Sequence, residues 1–327
     1  MRPFFSIVIP SRNNSKKLKY TIDSLRKLDY PRNRFEVIIV DSSDDETGDI
    51  LNKLSAINFH IFKNPNRSRR NSNISRNIGI KKARYENIVF LDSDCIVDKN
   101  WLRDYSNYVD NDIAGGNLTV QGKGFFSDYL SHSLRHLSRK FKDKKIITLE
   151  NFHKETLPLG ANFFAKKSVL NNISRFDEKA PSFEETELFY RAVKKGYKIL
   201  KIPGANVKTI HFAKFDDVIR NYMRLGRGLG YFIIKHNKSE YARRKILTFL
   251  LLDLLVMAYI LFLGINFSYA IYVLILASLA LLLYYKIFVH RRGYLEIPMF
   301  AILDVFLLII IYQISAFTFA IKSRIEW

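Results

Sequence analysis

Two aspartates separated by one residue stand directly after an apolar run in the first half of the chain. Asp92-Ser93-Asp94 follows Asn87–Leu91, which has the composition of a buried strand. Carboxylates at this spacing can point into one loop and hold a hard divalent cation that bridges two phosphates. The pair therefore indicates metal-assisted chemistry at a diphosphate.

The elements that position this pair alternate between strand and helix. Asp41 follows the apolar run Phe35–Val40 just as Asp92 follows its own run. A β-α-β-α order indicates parallel strands, whose ligands bind beyond the carboxyl ends, where both acids lie. The predicted strands are Phe4–Ile9, Phe35–Val40, Asn58–Phe62 and Asn87–Leu91, and the predicted helices are Ser15–Leu28, Thr47–Leu54, Ile74–Ala83, Ser127–Arg139 and Glu185–Lys195.

Six blocks of sequence occur in an order that is typical of one enzyme family. The blocks are Phe5–Pro10 with Asn13-Asn14, Glu36–Thr47, Ser75–Ile80, Val89–Asp94, Gly160–Ala165 and Phe183–Arg191. Over about Phe4 to Tyr231 the chain thereby resembles the inverting glycosyltransferases of family 2. The resemblance implies an α/β catalytic domain of the GT-A fold, Rossmann-like with a mostly parallel sheet. It also implies a hexosyltransferase of class EC 2.4 that uses a nucleotide-sugar.

The resemblance assigns residues to donor and metal. Asp41 would contact the base or ribose, Arg76 would hold the base, and Asp92 would contact the ribose and phosphate. Asp94 and Asp92 would ligate Mn²⁺ or Mg²⁺, with His211 as a further metal residue. Neutralising a leaving diphosphate is a physical requirement of this chemistry, because negative charge develops on it. Pro10, in the first block, is a further donor-binding position. Independently of the resemblance, Arg224 and Arg227 share one face of a predicted helix with Arg220, where they could bind the donor pyrophosphate, lie on anionic lipid next to the membrane, or do both.

The resemblance also assigns an acceptor half. Gly160, Ala161 and Asn162 would bind the acceptor, and Glu185 would be the base that deprotonates its hydroxyl. The family has an aspartate at the base position, so Glu184 and Glu187 remain alternatives to the longer Glu185. Acids in the first turn of a helix also complement its dipole without any catalytic role.

The last quarter of the chain is apolar. Residues 254–285 carry no charge, and we predict membrane spans at about 246–263, 269–289 and 297–321. A buried helical hairpin is the alternative. The predicted domains are a cytosolic catalytic domain, residues 1–240, including an interfacial helix at about 216–235, and an α-helical transmembrane region, residues 245–327. Basic residues flank the first two spans, so the positive-inside rule predicts an integral protein of the cell membrane with its catalytic domain on the cytoplasmic side.

The charge balance indicates an anionic partner. Nearly all of the net charge of +21 lies before residue 245, which suits a phosphorylated substrate, membrane lipids or nucleic acid. The basic stretch Lys63–Arg76 has no aromatic residue for base stacking, which argues against nucleic acid. The single cysteine, Cys95, excludes a disulfide scaffold.

The leading hypothesis is a membrane-anchored transferase that moves one sugar to a membrane-held, lipid-linked acceptor. The chain has no Gln-x-x-Arg-Trp element of the processive synthases, which favours single transfer. The alternatives are a non-catalytic, membrane-tethered protein that binds anionic lipid or nucleic acid, and an inactive transferase. UDP- and GDP-sugars fit the same acids equally well.

Overall fold

The computed structural model describes residues 2–52, 58–65, 72–122, 140–211, 214–265 and 311–325. These residues divide into two compact units, and the boundary falls between residues 212 and 213. Among these residues, every strand belongs to the first unit, and three helices of the C-terminal part belong to the second.

The first unit is built on an eight-stranded sheet with the order β3-β2-β1-β4-β9-β6-β10-β8. A smaller sheet has the order β5-β11-β7. The strands are β1 Phe5–Ser11, β2 Phe35–Asp41, β3 Phe59–Lys63, β4 Asn87–Leu91, β5 Cys95–Val97, β6 Ile113–Gly115, β7 Leu118–Gly122, β8 Lys145–Ile147, β9 Asn162–Lys166, β10 Ile199–Lys201 and β11 Val207–His211.

Helices connect the parallel strands as the sequence predicts. The α-helices of the first unit are α1 Ser15–Arg26, α2 Thr47–Asn52, α3 Ser72–Lys82, α4 Trp101–Ser106, α5 Lys167–Asn172 and α6 Glu184–Lys194. The first four predicted strands and the helices between them are confirmed, with boundaries that differ by at most two residues. The predicted helix Ser127–Arg139 lies outside the described residues.

Strands β1, β2 and β4 form the centre of the core. They are parallel to one another, and their apolar residues are almost completely buried, because helices cover the sheet. Helix α3 approaches β1 very closely at Gly79, where a Cβ atom would lie 2.3 Å from Val8 Cγ1. Glycine is therefore required at this crossing by space alone.

Strand β9 reverses direction within the main sheet. It pairs antiparallel with both β4 and β6, so that Asn162 lies opposite Leu91. The start of β9 therefore lies beside the end of β4. We call this side of the sheet, where β1, β2 and β4 end and β9 begins, the site end.

The second unit comprises α7 Phe215–Lys235, α8 Glu240–Ile265 and α9 Gln313–Ile325. Helices α7 and α9 pack closely at two glycines, since a Cβ atom at Gly226 would lie 2.3 Å from Tyr312 O and one at Gly230 would lie 2.4 Å from Ala316 O. Small residues four positions apart allow such close approach of two helix backbones.

Among the described helices, none combines the length and the apolar character needed to cross a bilayer. The predicted span 246–263 falls within α8, the span 269–289 lies outside the described residues, and the span 297–321 is described only from residue 311. The three spans stay predictions.

Candidate active site

Three loops meet at the site end of the sheet. Asn13 and Asn14, which follow β1, are tied to the loop after β2: Asn13 N donates to Ser43 Oγ (2.9 Å). Asn14 Nδ2 donates to Ser93 Oγ (3.0 Å), in the loop after β4. Asp41, at the end of β2, is buried and accepts from Ser43 N (3.1 Å). The parallel strands β2 and β4 thus place the predicted acids Asp41, the last residue of β2, and Asp92, which directly follows β4, at the same end of the sheet, the site end.

Arg76 joins the two halves of the site. It lies on α3 with only 4% of its side chain exposed, and its Nη2 is 2.9 Å from Asp92 Oδ1. Its Nη1 is 3.2 Å from Glu184 Oε1 and also donates to Ser72 Oγ (2.7 Å). The guanidinium lies 5.4 Å from the centre of the Phe176 ring. Arg76 therefore bridges Asp92, which is predicted to contact the donor, and Glu184, which lies in the predicted acceptor half.

The pKa values in this cluster follow from burial and from the mutual charges. Burial opposes the charge of Arg76, but Asp92, Glu184 and Glu185 outweigh it and raise the pKa of the guanidinium. Burial raises the pKa of Asp92, although 37% of its side chain is exposed. Arg76 opposes that shift, whereas the charges of Asp94 and Glu184 add to it. Carboxylates this close together favour a bound cation.

The three acids at the start of α6 have different surroundings. Glu184 is paired with Arg76. Glu187 is buried and is held by Arg191, whose Nη2 lies 2.6 Å from Glu187 Oε2. Glu185 faces Gly160, where a Cβ atom would lie 3.4 Å from Glu185 Oε2 and 3.7 Å from Arg76 Nη2. The small residue at 160 therefore leaves space directly beside the Glu185 carboxylate.

The backbone before these acids is strained. Phe183 precedes α6 with φ of 61° and ψ of 23°, the left-handed region that bulky residues rarely occupy. Such residues cost on the order of 1–3 kcal/mol and occur often at functional sites. This strained residue directly precedes Glu184 and Glu185, the first two residues of α6.

The residues that are predicted to bind metal fit a divalent cation in part. Asp92 and Asp94 lie close enough for the charge of one to raise the pKa of the other. Oxygen ligands suit Mn²⁺ and Mg²⁺, and Mg²⁺ commonly takes one or two carboxylates together with substrate phosphates. Within the described ranges there is no group of three potential metal-ligating side chains. His211 ends β11, and its side chain lies outside the described part of the structure.

Comparison with known families decides between the hypotheses. Residues 6–174 match the model of the glycosyl transferase family 2. The chain belongs to glycosyltransferase family 2. Membership of this family favours a transferase of class EC 2.4 over a non-catalytic binding protein.

Several characterised or solved proteins are similar to this glycosyltransferase. The probable glycosyltransferase YdaM of Bacillus subtilis is 28% identical over 286 residues, which cover 83% of the chain and 66% of YdaM. The chain thus spans slightly under two thirds of that relative. The crystal structure of S. aureus TarS 1-349 in complex with UDP-GlcNAc has a TM-score of 0.53 at 20% identity, covering 70% of the chain and 66% of TarS 1-349. The mannosyltransferase PcManGT from Pyrobaculum calidifontis, solved with GDP-Man and Mn²⁺, has a TM-score of 0.69 at 14% identity, covering 99% and 88%. At these identities the two structures establish a GT-A-like fold alone.

One residue that is predicted to bind the acceptor of the glycosyltransferase, Asn162, is hydrogen-bonded inside the protein. Asn162 is completely buried and accepts from Trp101 Nε1 and Tyr105 Oη, both at 2.9 Å. Its amide donates to the backbone oxygens of Asn117 and Ala205. With all of these bonds made inside the protein, the Asn162 side chain positions β9. Its predicted acceptor-binding role stays a prediction.

The remaining predicted positions are spread over both units of the glycosyltransferase. Pro10 is the penultimate residue of β1, opposite Val40, and Ala161 is buried just before β9. Arg224 and Arg227 are exposed on α7 in the second unit. The donor-binding and acceptor-binding roles of these residues remain predictions.

One site residue was missed at the sequence level. Lys17, on α1, lies with its Nζ 3.6 Å from Asp94 Oδ2. The spacing of Asn14, Lys17 and Thr21 could have indicated this contact, because it places all three residues on one face of the helix, the face that bonds to Ser93.

Proposed function

We propose that this glycosyltransferase transfers one sugar, with inversion, from a UDP- or GDP-linked donor to a membrane-held, lipid-linked acceptor. The observation that carries the proposal is the convergence of Asp92, Arg76, Glu184 and Glu185 beside Gly160 at the site end. In this proposal Glu185 is the base and Asp92 a donor-binding carboxylate, and Arg76 connects the two, since it pairs with Asp92 and lies beside Gly160 with Glu185.

Glu185 is the base in this proposal. It takes the proton of the acceptor hydroxyl while that oxygen attacks the anomeric carbon, and the bond from this carbon to the donor phosphate breaks. The nucleoside diphosphate leaves with the bonding electron pair, and the new glycosidic bond has the opposite configuration. Glu184 and Glu187 are instead paired with Arg76 and Arg191.

Asp41 and Asp92 bind the nucleotide side of the donor, since both lie at the ends of strands that reach the site end. Asp92 and Asp94 would hold Mn²⁺ or Mg²⁺, which would neutralise charge on the departing diphosphate. Arg76 keeps Asp92 oriented through its 2.9 Å contact.

The donor class is supported by the solved relatives. TarS 1-349 was crystallised with UDP-GlcNAc, and PcManGT was crystallised with GDP-Man and Mn²⁺. Both ligands are nucleotide-sugars, and the second structure supports a divalent cation. The two nucleotides differ, so both remain in the proposal.

Membrane association is supported by the surface of α8. Five large apolar residues of this helix are more than half exposed, and two exposed arginines precede them. Such a surface suits hydrocarbon next to anionic headgroups. The cytoplasmic side is proposed for the catalytic unit on the positive-inside rule alone. The apolar residues are Leu247, Leu250, Leu251, Leu254 and Met257.

Thermal stabilisation of the full chain by nucleotides tests the donor class. UDP, GDP, CMP and dTDP are each added with and without Mn²⁺, and a ligand at 100 times its Kd adds about 2.7 kcal/mol. We expect Mn²⁺-dependent stabilisation by UDP or GDP in the wild-type protein and its loss in Asp92→Asn. Stabilisation by none of the four, in folded protein, contradicts the proposal.

A further inference from the structure

Lys17 stands in a position that helix electrostatics disfavour. The first turn of α1, Ser15–Leu18, contains two lysines and no acid. Because the amino end of a helix carries partial positive charge, a cation there is mildly destabilising. Rules of local stability are most often broken at functional positions. Lys17 also has 31% of its side chain exposed, so it retains access to a ligand.

The face of α1 that carries Lys17 is fixed against the loop between the two metal-binding aspartates. Asn14 Nδ2 donates to Ser93 Oγ (3.0 Å), and Thr21 Oγ1 donates to Ser93 O (2.9 Å). Lys17 lies between these two anchors on the same face, three residues after Asn14 and four before Thr21. Its ammonium is thereby held 3.6 Å from Asp94 Oδ2.

We propose that Lys17 neutralises Asp94 in the empty enzyme and binds the donor diphosphate once a divalent cation occupies Asp94. This inference rests on the proposed function, because it requires a diphosphate in the same site. A divalent cation at Asp94 would repel the ammonium of Lys17. The four-carbon side chain of lysine is flexible and can turn to a phosphate oxygen.

The proposal predicts effects of opposite sign on two ligands. Lys17→Met removes a competing cation from Asp94, so Mn²⁺ alone should bind about two- to fivefold more tightly, the range for a partly exposed ion pair. The same variant loses a charge-assisted contact to the diphosphate. UDP or GDP should therefore bind at least about tenfold more weakly at saturating Mn²⁺. A residue that only stabilises the fold does not produce this combination.

The experiment uses the full chain. Free Mn²⁺ is followed by electron paramagnetic resonance, and UDP and GDP binding is followed by titration calorimetry. Lys16→Met and Lys19→Met are matched controls, since both lysines are exposed on α1 and their loss changes the charge equally. Both controls should resemble wild type. Lys17→Arg keeps the charge and should change either affinity less than Lys17→Met does.

Each outcome decides the matter. Lys17→Gln is measured in parallel, so that a folding defect in one variant leaves the comparison intact. Unchanged or weaker Mn²⁺ binding, or diphosphate binding equal to that of Lys16→Met, overturns the role of Lys17. A wild-type protein that binds neither UDP nor GDP with Mn²⁺ overturns the proposed function as well. Wild-type binding with unaltered Lys17 variants overturns this inference alone.

Discussion

Arg76→Met is the substitution that most directly tests the buried charge cluster. Methionine replaces the aliphatic part of the arginine side chain, so the change removes mainly the charged guanidinium, which lies 5.4 Å from the centre of the Phe176 ring. In the wild-type protein the guanidinium lies 2.9 Å from Asp92 and 3.2 Å from Glu184. Without it, two carboxylates remain close together without their shared cation.

The size of the effect follows from the burial of the three groups. Breaking a buried ion pair by removing one partner costs about 3–5 kcal/mol. Asp92 keeps 37% of its side chain exposed, which places the expected loss near the lower limit, about 3 kcal/mol. For a unit of this size the melting temperature should fall by about 6–12 °C.

Differential scanning calorimetry of the full chain measures this loss. The matched control is Arg103→Met, because Arg103 pairs with Asp29 at the same distance of 2.9 Å but both side chains are about half exposed. That variant should lose less than about 1 kcal/mol. Adding Asp92→Asn to Arg76→Met should restore part of the lost stability, since one uncompensated charge disappears. Equal melting temperatures for Arg76→Met and Arg103→Met would refute the reasoning.

Three further perturbations have defined outcomes. Asp94→Asn should abolish Mn²⁺-dependent stabilisation by nucleotide, and retained Mn²⁺ dependence in a thermal-shift assay would remove Asp94 from the metal site. Burial opposes the charge of Glu155, but hydrogen bonds from Lys145 and Lys201 prevail and lower the pKa of this carboxyl in the folded protein. The stability that Glu155 contributes is therefore fully present above the pKa of the unfolded chain, and it is lost as the pH falls through the lower pKa of the folded protein. Glu155→Gln should therefore flatten the stability profile in that acidic window, and an unchanged profile in pH-dependent denaturation would contradict the assignment. Gly79→Ala should destabilise the protein by about 1–3 kcal/mol, because the new methyl group overlaps Val8, and a measured loss below about 0.5 kcal/mol in urea denaturation would show that α3 moves away easily.

The first half of the fold could be predicted from the sequence because the patterns that indicate its strands and helices are local. Apolar runs of five to seven residues ending at Asp41 and Asp92 indicate buried parallel strands, and the structure contains them. The order of strands and helices then places both acids at one end of the sheet. The strands β5, β6, β8 and β10 have only three residues each, which is too short for a recognisable pattern.

The surroundings of several site residues could not be predicted from the sequence, because these residues contact segments that are distant along the chain. Asn162 belongs to a family-like block, yet its four hydrogen bonds come from segments 43–61 residues away along the chain. Arg76, which is predicted to help hold the nucleobase, pairs with Asp92 and with Glu184, and Glu184 is 108 residues away along the chain. Gly226 lies between Arg224 and Arg227, and it closely approaches the backbone of Tyr312. No periodicity in a sequence encodes such pairings.

The most direct test of the central claim, that Glu185 is the base, is to measure sugar transfer by the Glu185→Gln variant and to compare it with transfer by Glu187→Gln. Radiolabelled donor, chosen by the nucleotide panel, is incubated with the full chain and a lipid extract of the cells that produce the protein. We predict that Glu185→Gln loses transfer by at least about 100-fold. Its Mn²⁺-dependent nucleotide binding should remain at the wild-type level. Glu187→Gln, which changes the neighbouring acid paired with Arg191, should retain transfer while folded. Transfer by Glu185→Gln at the wild-type rate would contradict the account.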